Sequence, residues 1–252
     1  MIYQKFGSFY DAVMGDRSES AAFVHRLIQK HKPDAKTLLE LACGTGAVLK
    51  HLAKHYEVSG LDISPEMLSV ARKKLPETTF YLASMATFEL DRKFDVIICV
   101  FDSINHVLSF ADWRRIFRRV AERLAEGGLF LFDINTQRKL QRLIQERPWV
   151  HPFDDNLLIM DVTDAGHGVS NWNIKVFARQ APQANNNYKL FEEDIQEKSF
   201  PLSQIRNTLL ERFEVVKIID PTRRRPGGRS ERLYFLCRRA PGKTKRPTKG
   251  SG

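Results

Sequence analysis

The residues best placed to do chemistry are a glycine turn and two acids near it. Residues 38–46 read Leu-Leu-Glu-Leu-Ala-Cys-Gly-Thr-Gly, and Asp62 follows Gly46 by sixteen positions. Gly44 and Gly46 have no Cβ, so the backbone there can pass close beneath a ligand. Asp62 ends a second apolar run, where its carboxylate can accept hydrogen bonds from both hydroxyls of a ribose. The spacing predicts a site for an adenosine-like ligand.

A second group of polar side chains follows later apolar runs. Residues 100–106 read Val-Phe-Asp-Ser-Ile-Asn-His, which places Asp102 and His106 four positions apart, and Asp133 lies near the end of the run 129–134. His106 is the better candidate for a general base, because the intrinsic pKa of histidine lies near neutrality. Packing of the loop is an equal alternative for His106. Asp133 can orient an amine, or it can cap the helix that follows.

The apolar patterning places both groups at the carboxyl ends of parallel strands. Strands are predicted over 38–41, 57–61, 78–82, 94–100 and 129–134. Helices are predicted over 18–31, 47–55, 65–74, 110–125, 136–146 and 201–211. Ser64 and Pro65 form a predicted helix start, and Ser109 with Asp112 forms a predicted capping box. This alternation predicts an α/β fold with a doubly wound, mostly parallel sheet, whose ligands bind at the carboxyl ends of the strands.

The alternation of strands and helices stops after residue 146. Residues 149–200 contain aromatic residues among Asn, Asp and Gly turns, and 171–178 alternate between polar and apolar types. This pattern predicts an inserted antiparallel β element. Two final strands are predicted over 213–219 and 232–237.

The glycine turn differs from a dinucleotide-binding fingerprint. Leu49 stands where a third small residue is required, and Glu40 precedes the turn. A buried acid beside such a turn needs a donor or a cation. The pattern resembles motif I of class I S-adenosylmethionine-dependent methyltransferases. This resemblance implies S-adenosyl-L-methionine as the cofactor and S-adenosyl-L-homocysteine as its product, and the cysteine spacing matches no metal site.

The resemblance also implies where the cofactor lies. Glu40 would balance its ammonium group, Asp62 would hold the ribose, and Ile63 would pack on the adenine. The family often has an Asp-Met pair after the third strand, in which the acid accepts a hydrogen bond from the adenine amino group. Here the pair is Ser84-Met85, so this acceptor carries no charge. The implied cofactor-binding residues are Tyr10, Glu40, Gly44, Gly46, Asp62, Ile63, Met67, Ser84, Met85 and Val100. Methyl transfer is an in-line displacement in which alignment does most of the work, with Asp102, His106 and Asp133 as candidate catalytic residues.

Within that class, the chain looks most similar to bacterial small-molecule methyltransferases, including the sugar N-methyltransferases. Shared segments are Tyr3-Gln-Lys-Phe6, Tyr10-Asp11-Ala-Val-Met14 and Asp102-Ser103-Ile104-Asn105. The family fold is a seven-stranded sheet with one antiparallel strand. The expected domains are an N-terminal helical lid over 1–36, a methyltransferase core over 37–140 and 201–239, an inserted substrate-side β element over 141–200, and a disordered basic tail over 240–252.

Composition leaves two substrate classes open. The net charge of +10 suggests an acidic partner, and RNA is therefore the alternative acceptor. No RNA-binding module is recognisable, and arginines of 114–123 fall on the polar side of a predicted helix, so a small-molecule acceptor is favoured. A third hypothesis is a binding module without catalytic activity, and the intact glycine turn argues against it. With no signal-peptide pattern, no membrane span and three cysteines in apolar runs, we expect a cytoplasmic protein. The sequence makes no prediction of the oligomeric state.

Overall fold

The computed structural model of the chain describes residues 5–180 and 187–240. The predicted basic tail, apart from Ala240, and Tyr3 of the N-terminal segment therefore lie outside the described residues. The helices are α1 (Tyr10–Met14), α2 (Ser18–His31), α3 (Leu49–Leu52), α4 (Pro65–Lys74), α5 (Phe110–Arg123), α6 (Gln137–Leu143) and α7 (Leu202–Leu210). None of these described helices has the length and apolar character needed to cross a membrane.

The main sheet contains seven of the described strands. They are β1 (Thr37–Leu41), β2 (Glu57–Asp62), β3 (Thr79–Leu82), β4 (Phe94–Cys99), β5 (Leu124–Asn135), β10 (Phe213–Ile219) and β11 (Arg232–Arg239). Their order is β10-β11-β5-β4-β1-β2-β3. β1 to β5 pair in parallel, whereas β11 is antiparallel to both β5 and β10. The predicted fold class is confirmed, and the carboxyl ends of β1, β2, β4 and β5 share one edge.

Helices cover both faces of this sheet, because its strands are apolar on both sides. On one face, Trp113 and Phe117 of α5 and Leu209 of α7 pack against the strands. On the other face, Val24 and Ile28 of α2 pack there together with residues of α3 and α4. The sheet is thus held rigidly between two apolar layers, which fixes the positions of its strand ends.

A side-chain cap marks the start of α4, whereas a predicted cap is missing from α5. The helices α2 and α4 have the predicted bounds, and the Ser64 side chain caps α4 by accepting a hydrogen bond from the Met67 N–H at 3.2 Å. The predicted capping box at Ser109 is wrong: the Ser109 side chain makes no capping bond with any described residue, and Asp112 instead pairs with Arg115 at 2.6 Å.

Helix α3 is much shorter than the predicted helix over 47–55. Only Leu49–Leu52 are α-helical. Around them the His51 N–H donates to the Val48 carbonyl and the His55 N–H to the Leu52 carbonyl, three residues back in each case. Such bonds tighten the backbone into 3₁₀-type turns, which are common next to a tight turn.

A second, antiparallel sheet forms beside the first. Its strands are β6 (Trp149–Phe153), β7 (Asn156–Asp164), β8 (Val169–Arg179) and β9 (Tyr188–Lys198), in that order. Their apolar faces form a separate core with Phe6 and Val13 from the N-terminal segment. Of the N-terminal residues for which we expected a helical lid, the segment at α1 contacts this second sheet, whereas α2 packs on the main sheet.

Candidate active site

The glycine turn follows β1 and opens onto a cavity. Ala42 (φ 52°), Gly44 (φ 54°) and Gly46 (φ 71°) all have left-handed backbone. A Cβ added at Gly44 would meet no atom of the described residues within 4 Å, so this glycine borders open space. A Cβ at Gly46 would lie 3.4 Å from Ala71 and Leu75 instead. The missing Cβ of Gly46 therefore allows close packing against α4.

Asp62 holds the turn in place from the end of β2. Its Oδ2 accepts a hydrogen bond from the Gly44 N–H at 2.8 Å, and its Oδ1 accepts one from the Ser64 N–H at 2.9 Å. Burial raises the pKa of the Asp62 carboxyl, and these amide bonds oppose the rise. Each carboxylate oxygen has a second lone pair, so Asp62 can still accept from two ligand hydroxyls.

The cavity beside this turn brings together most of the predicted cofactor-binding residues. Its lining is Tyr10, Ala42, Gly44, Asp62, Ile63, Met67, Met85, Phe101, Ser103 and His106. A contiguous cavity adds Leu61, Ala83, Ser84 and Val107. Ile63 is half exposed, so its apolar side chain is available to pack on a flat ligand surface. Val100 differs from the prediction: it is 5% exposed and belongs to the core under the sheet edge.

Two oppositely charged groups near Tyr10, the buried Glu40 and the partly buried Arg17, fit the amino and carboxyl groups of an amino acid. Glu40 is 3% exposed, and its Oε2 has no hydrogen-bond partner among the described residues. Burial, and then the nearby Asp62, raise the pKa of Glu40 well above its ordinary value. Arg17 stacks 4.2 Å from the Phe101 ring centre, and its buried Nη2 likewise lacks a partner in the described part of the chain.

These observations test the fit of S-adenosylmethionine to the site. The unpartnered Glu40 oxygen suits an ammonium group, the unpartnered Arg17 nitrogen suits a carboxylate, and the open space over Gly44 admits the ligand backbone. The residues fit the cofactor. Arg17 was missed at the sequence level, because an isolated arginine before a helix carries no motif.

The helix α1 lies over the glycine turn, and both its first turn and the segment before it are held by side-chain contacts. Asp11 accepts a hydrogen bond from the Thr45 hydroxyl at 2.6 Å and pairs with Lys74 Nζ at 2.7 Å. In the segment before the helix, the backbone N–H groups of Lys5 and Phe6 both donate to the Glu193 carboxylate at 3.1 Å. Tyr10 is thereby held over the cavity, where burial raises its pKa to about 12.

A second cavity of about 230 Å³ lies between α1, the segment after β4 and the second sheet. Most of its lining is apolar: Phe6, Val13, Met14, Trp149, Leu158, Met160, Trp172, Ile174 and Ile195. Its polar wall is formed by Asp102, His106 and Glu197. Tyr10 and His106 line this cavity and the cofactor cavity alike. The two cavities are therefore adjacent, and these two side chains border both of them.

His106 sits on a 3₁₀ turn (Ser103–His106) and has a fixed orientation. Its Nδ1 lies 3.2 Å from the Gln196 carbonyl oxygen. A carbonyl can only accept, so Nδ1 carries the proton and Nε2 is the basic nitrogen of the neutral ring. Burial lowers the pKa of His106, and Asp102 opposes this effect. His106 lines both parts of the cofactor cavity as well as the second cavity.

Asp133 lies beneath the second cavity and not at its surface. Its side chain is fully buried, and its Oδ2 accepts from the Asp102 N–H at 3.2 Å and lies 3.2 Å from Arg232 Nη1. Arg232 also bonds Asp102 directly. Burial raises the pKa of Asp133 to about 7, and Arg232 limits the rise. The structure thus favours a positioning role for Asp133, which acts on Asp102 and Arg232.

Asn135 links these charges to the second sheet. Its Nδ2 donates to Asp102 Oδ2 at 2.8 Å and to Glu197 Oε2 at 2.9 Å, and its Oδ1 accepts from Lys139 at 2.8 Å. Glu197, Lys139 and Arg232 were not predicted as site residues. Glu197 and Arg232 lie more than sixty positions from Asp102 in the sequence, and Lys139 lies on α6, whose pattern is typical of a polar surface helix. Only the fold brings these side chains together.

Comparison with known proteins agrees with this geometry. A family model described as a methyltransferase domain matches residues 38–128. A protein of Geobacillus sp. (strain WCH70), which carries a provisional methyltransferase name, is 28% identical over 95% of this chain and 100% of its own length. The dTDP-3-amino-3,6-dideoxy-alpha-D-glucopyranose N,N-dimethyltransferase of Streptomyces fradiae is 34% identical, over 47% of each chain.

A solved structure shares the fold. The crystal structure of a S-adenosylmethionine-dependent methyltransferase from Clostridium acetobutylicum ATCC 824 aligns with a TM-score of 0.83 at 24% identity, and the alignment covers 96% of this chain and 100% of that one. The matched family domain contains the glycine turn, Asp62 and the segment after β4. The chain thus carries a methyltransferase domain over residues 38–128, and it has the fold of S-adenosylmethionine-dependent methyltransferases.

Proposed function

We propose that the enzyme transfers a methyl group to a nitrogen or oxygen atom of a small molecule with an apolar body. The observation that carries this proposal is the second cavity, which meets the cofactor cavity at Tyr10 and His106. Its volume of about 230 Å³ suits a ring-sized compound. Its aromatic and aliphatic walls suit an uncharged body, and its polar wall suits an amine or hydroxyl.

The side chains of the site align the acceptor and exclude water. When bound, S-adenosylmethionine supplies an electrophilic methyl group on a sulfonium. The apolar lining holds the acceptor body, while Asp102 and Glu197 can accept hydrogen bonds from its polar end. The basic Nε2 of His106 can take a proton from an acceptor that is still protonated. The helix α1 covers both cavities and removes water, which strengthens these interactions.

The relative from Streptomyces fradiae supports a nitrogen acceptor on a small molecule. That enzyme is named for the N,N-dimethylation of a dTDP-amino sugar, and this chain spans about half of its length. Because the similarity covers only about half of each chain, the acceptor of this chain is inferred from its own cavity. An amino sugar nevertheless belongs in the first panel of acceptors to be assayed.

RNA is the competing acceptor, and one surface favours it. Arg223, Arg224, Arg225 and Arg229 line a concave loop between β10 and β11. Phosphate groups bind such arginines with an affinity that falls steeply with salt. In contrast, two of the arginines on α5 are already paired with acids, Arg115 with Asp112 and Arg119 with Glu89. An enclosed apolar cavity next to the cofactor fits a small molecule better.

We also propose a cytoplasmic location. Cys43, Cys99 and Cys237 are all unpaired and buried thiols in the described structure. Unpaired thiols are maintained in reducing compartments.

Filling the second cavity tests this proposal. Met160→Trp places a larger ring in the lining, and we expect methyl transfer to amines, phenols and amino sugars to fall at least about tenfold, because the acceptor loses its space. Affinity for S-adenosylhomocysteine, measured by calorimetry, should stay unchanged. Leu210→Trp is the matched control, since Leu210 is 54% exposed on α7. If the Met160→Trp variant still methylates RNA, the small-molecule assignment is overturned.

A further inference from the structure

The charged groups beside the second cavity do not balance. Three acids, Asp102, Asp133 and Glu197, face two cations, Arg232 and Lys139, through direct pairs or through the Asn135 amide. With all five groups ionised, the cluster carries one uncompensated negative charge. A buried unpaired charge is costly, so the cluster must either hold a proton or receive a cation.

Glu197 is the member of the cluster that reaches the cavity with unused capacity. It is 3% exposed and lines the cavity. Its Oε2 accepts from Asn135, while its Oε1 has no hydrogen-bond partner in the described part of the chain. By comparison, both oxygens of Asp102 are engaged, one by Arg232 and the other by Asn135.

We propose that the acceptor binds as a protonated amine and that Glu197 holds its ammonium group and then takes its proton. This inference rests on the proposed function and narrows it from nitrogen or oxygen to a basic amine. The ammonium group supplies the positive charge that the cluster lacks. An alcohol or a carboxylic acid in the same position would leave the charge deficit in place.

The proton balance of this step is complete. The ammonium N–H bond breaks, and the proton moves to Glu197 Oε1, which leaves a neutral amine and a neutral carboxylic acid. The nitrogen lone pair then forms the N–CH₃ bond, while the electron pair of the breaking C–S bond remains on sulfur. Burial raises the pKa of Glu197 well above its ordinary value, which makes the carboxylate a competent proton acceptor.

The pH dependence follows from the groups that face Glu197. These are Asp102 after β4, Asn135 on β5, Lys139 on α6, Arg232 on β11 and His106 on the 3₁₀ turn. Before the amine binds, the cluster retains a proton up to about neutral pH, because burial raises the pKa of Asp133 to about 7 and also raises the pKa of Glu197 above its ordinary value. Binding of an ammonium ion displaces that proton. Affinity should therefore rise with pH until the amine itself loses its charge.

A matched pair of probes tests the proposal. Benzylamine and benzyl alcohol have the same apolar body, and their binding is measured by calorimetry at saturating S-adenosylhomocysteine in two buffers of different ionisation enthalpy. We expect wild type to bind benzylamine roughly tenfold or more tightly than benzyl alcohol, with release of a proton. In Glu197→Gln the preference should shrink to about twofold and the proton release should disappear. Glu192→Gln, on the exposed face of the same strand, should behave as wild type.

The outcomes separate this proposal from the proposed function. Equal binding of the two probes to wild type, including no binding of either, overturns the amine assignment. So does a preference that survives in Glu197→Gln. If Met160→Trp blocks both probes while Glu197→Gln keeps the preference, the cavity is the acceptor site and only the role of Glu197 fails. If Met160→Trp leaves both probes bound, the acceptor site itself is misplaced, and both proposals fail.

Discussion

Three non-glycine residues at the active edge hold left-handed backbone. Ala42 follows β1, and Phe101 and Asp102 follow β4, which is the neighbouring strand. Such a conformation costs roughly 1–2 kcal/mol for a residue with a Cβ. The surrounding contacts offset this cost, since the Asp102 N–H donates to Asp133 and its carboxylate bonds Arg232 and Asn135. Local strain is thus concentrated where the two cavities meet.

Substitutions at two glycines distinguish the effect of backbone strain from the effect of filling the ligand space. We expect Gly44→Val to abolish cofactor binding, because the new side chain enters the open space over the turn. Gly127→Val is the control: Gly127 also has positive φ (64°) and open surroundings, but it lies at the start of β5. Both variants should lower the melting temperature by a similar amount. Calorimetry that shows wild-type affinity in Gly44→Val would contradict the placement of the cofactor.

The predictability of a site residue depends on how local its signal is. Gly44 and Asp62 could be predicted because a turn and a strand end specify them within one βαβ unit. Glu197 and Arg232 could not, because their relevance appears only when β9 and β11 are placed beside the segment after β4. The sequence separation between Arg232 and Asp102 is 130 positions, and no local pattern encodes such a pairing.

At the scale of elements, α1 is short and depends on its ties. It has only 5 residues, too few to be stable alone. Its position is set by the bonds of Asp11 to Thr45 and Lys74 and by the packing of Phe6 and Val13 on the second sheet. Element boundaries were predictable where a cap or a proline marks them, as at α4. They were not predictable at α3, where 3₁₀-type turns replace both ends of the predicted helix.

Breaking the tie between α1 and the glycine turn should loosen the cofactor. In Asp11→Ala we expect the cofactor to dissociate roughly tenfold faster, since a charge-assisted bond over the cavity is lost. Stopped-flow measurement of dissociation checks this, together with faster hydrogen exchange of the α1 amides. Asp34→Ala, which removes an exposed ion pair with Lys32, is the control. Unchanged dissociation in Asp11→Ala would show that α1 is not the cover of the site.

At the scale of the whole molecule, two sheets are joined through the site itself. Asn105 donates to the Lys198 carbonyl at 3.0 Å, His106 bonds the Gln196 carbonyl, and Asn135 bonds Glu197. These hydrogen bonds therefore connect β9 to the edge of the main sheet where the parallel strands end. Sequence patterning predicted each sheet separately, the main sheet from alternating strands and helices and the second sheet from alternating polar and apolar residues. It carried no information on how the second sheet docks, because these contacts join residues about 60 to 90 positions apart.

The buried acids should make the fold sensitive to pH. The pKa of Asp133 is raised from 3.8 to about 7 in the folded state. Between these values the folded protein binds more protons than the unfolded chain, so stability falls as pH rises. Asp133→Asn cannot titrate. We expect the melting temperature of wild type minus that of Asp133→Asn to decrease from about pH 4 to about pH 7 and then to level off. A difference that does not vary with pH would contradict the raised pKa.

The helix α1 has a consequence for repeated methylation of one amine. Through Tyr10 it walls both the cofactor cavity and the acceptor cavity. On the proposed function, we expect the spent cofactor to leave when this wall moves, which would open the acceptor cavity at the same moment. A monomethylated amine would then return to solution before a fresh cofactor arrives. We therefore expect any second methyl group on the same nitrogen to be added distributively, in competition with unmethylated acceptor.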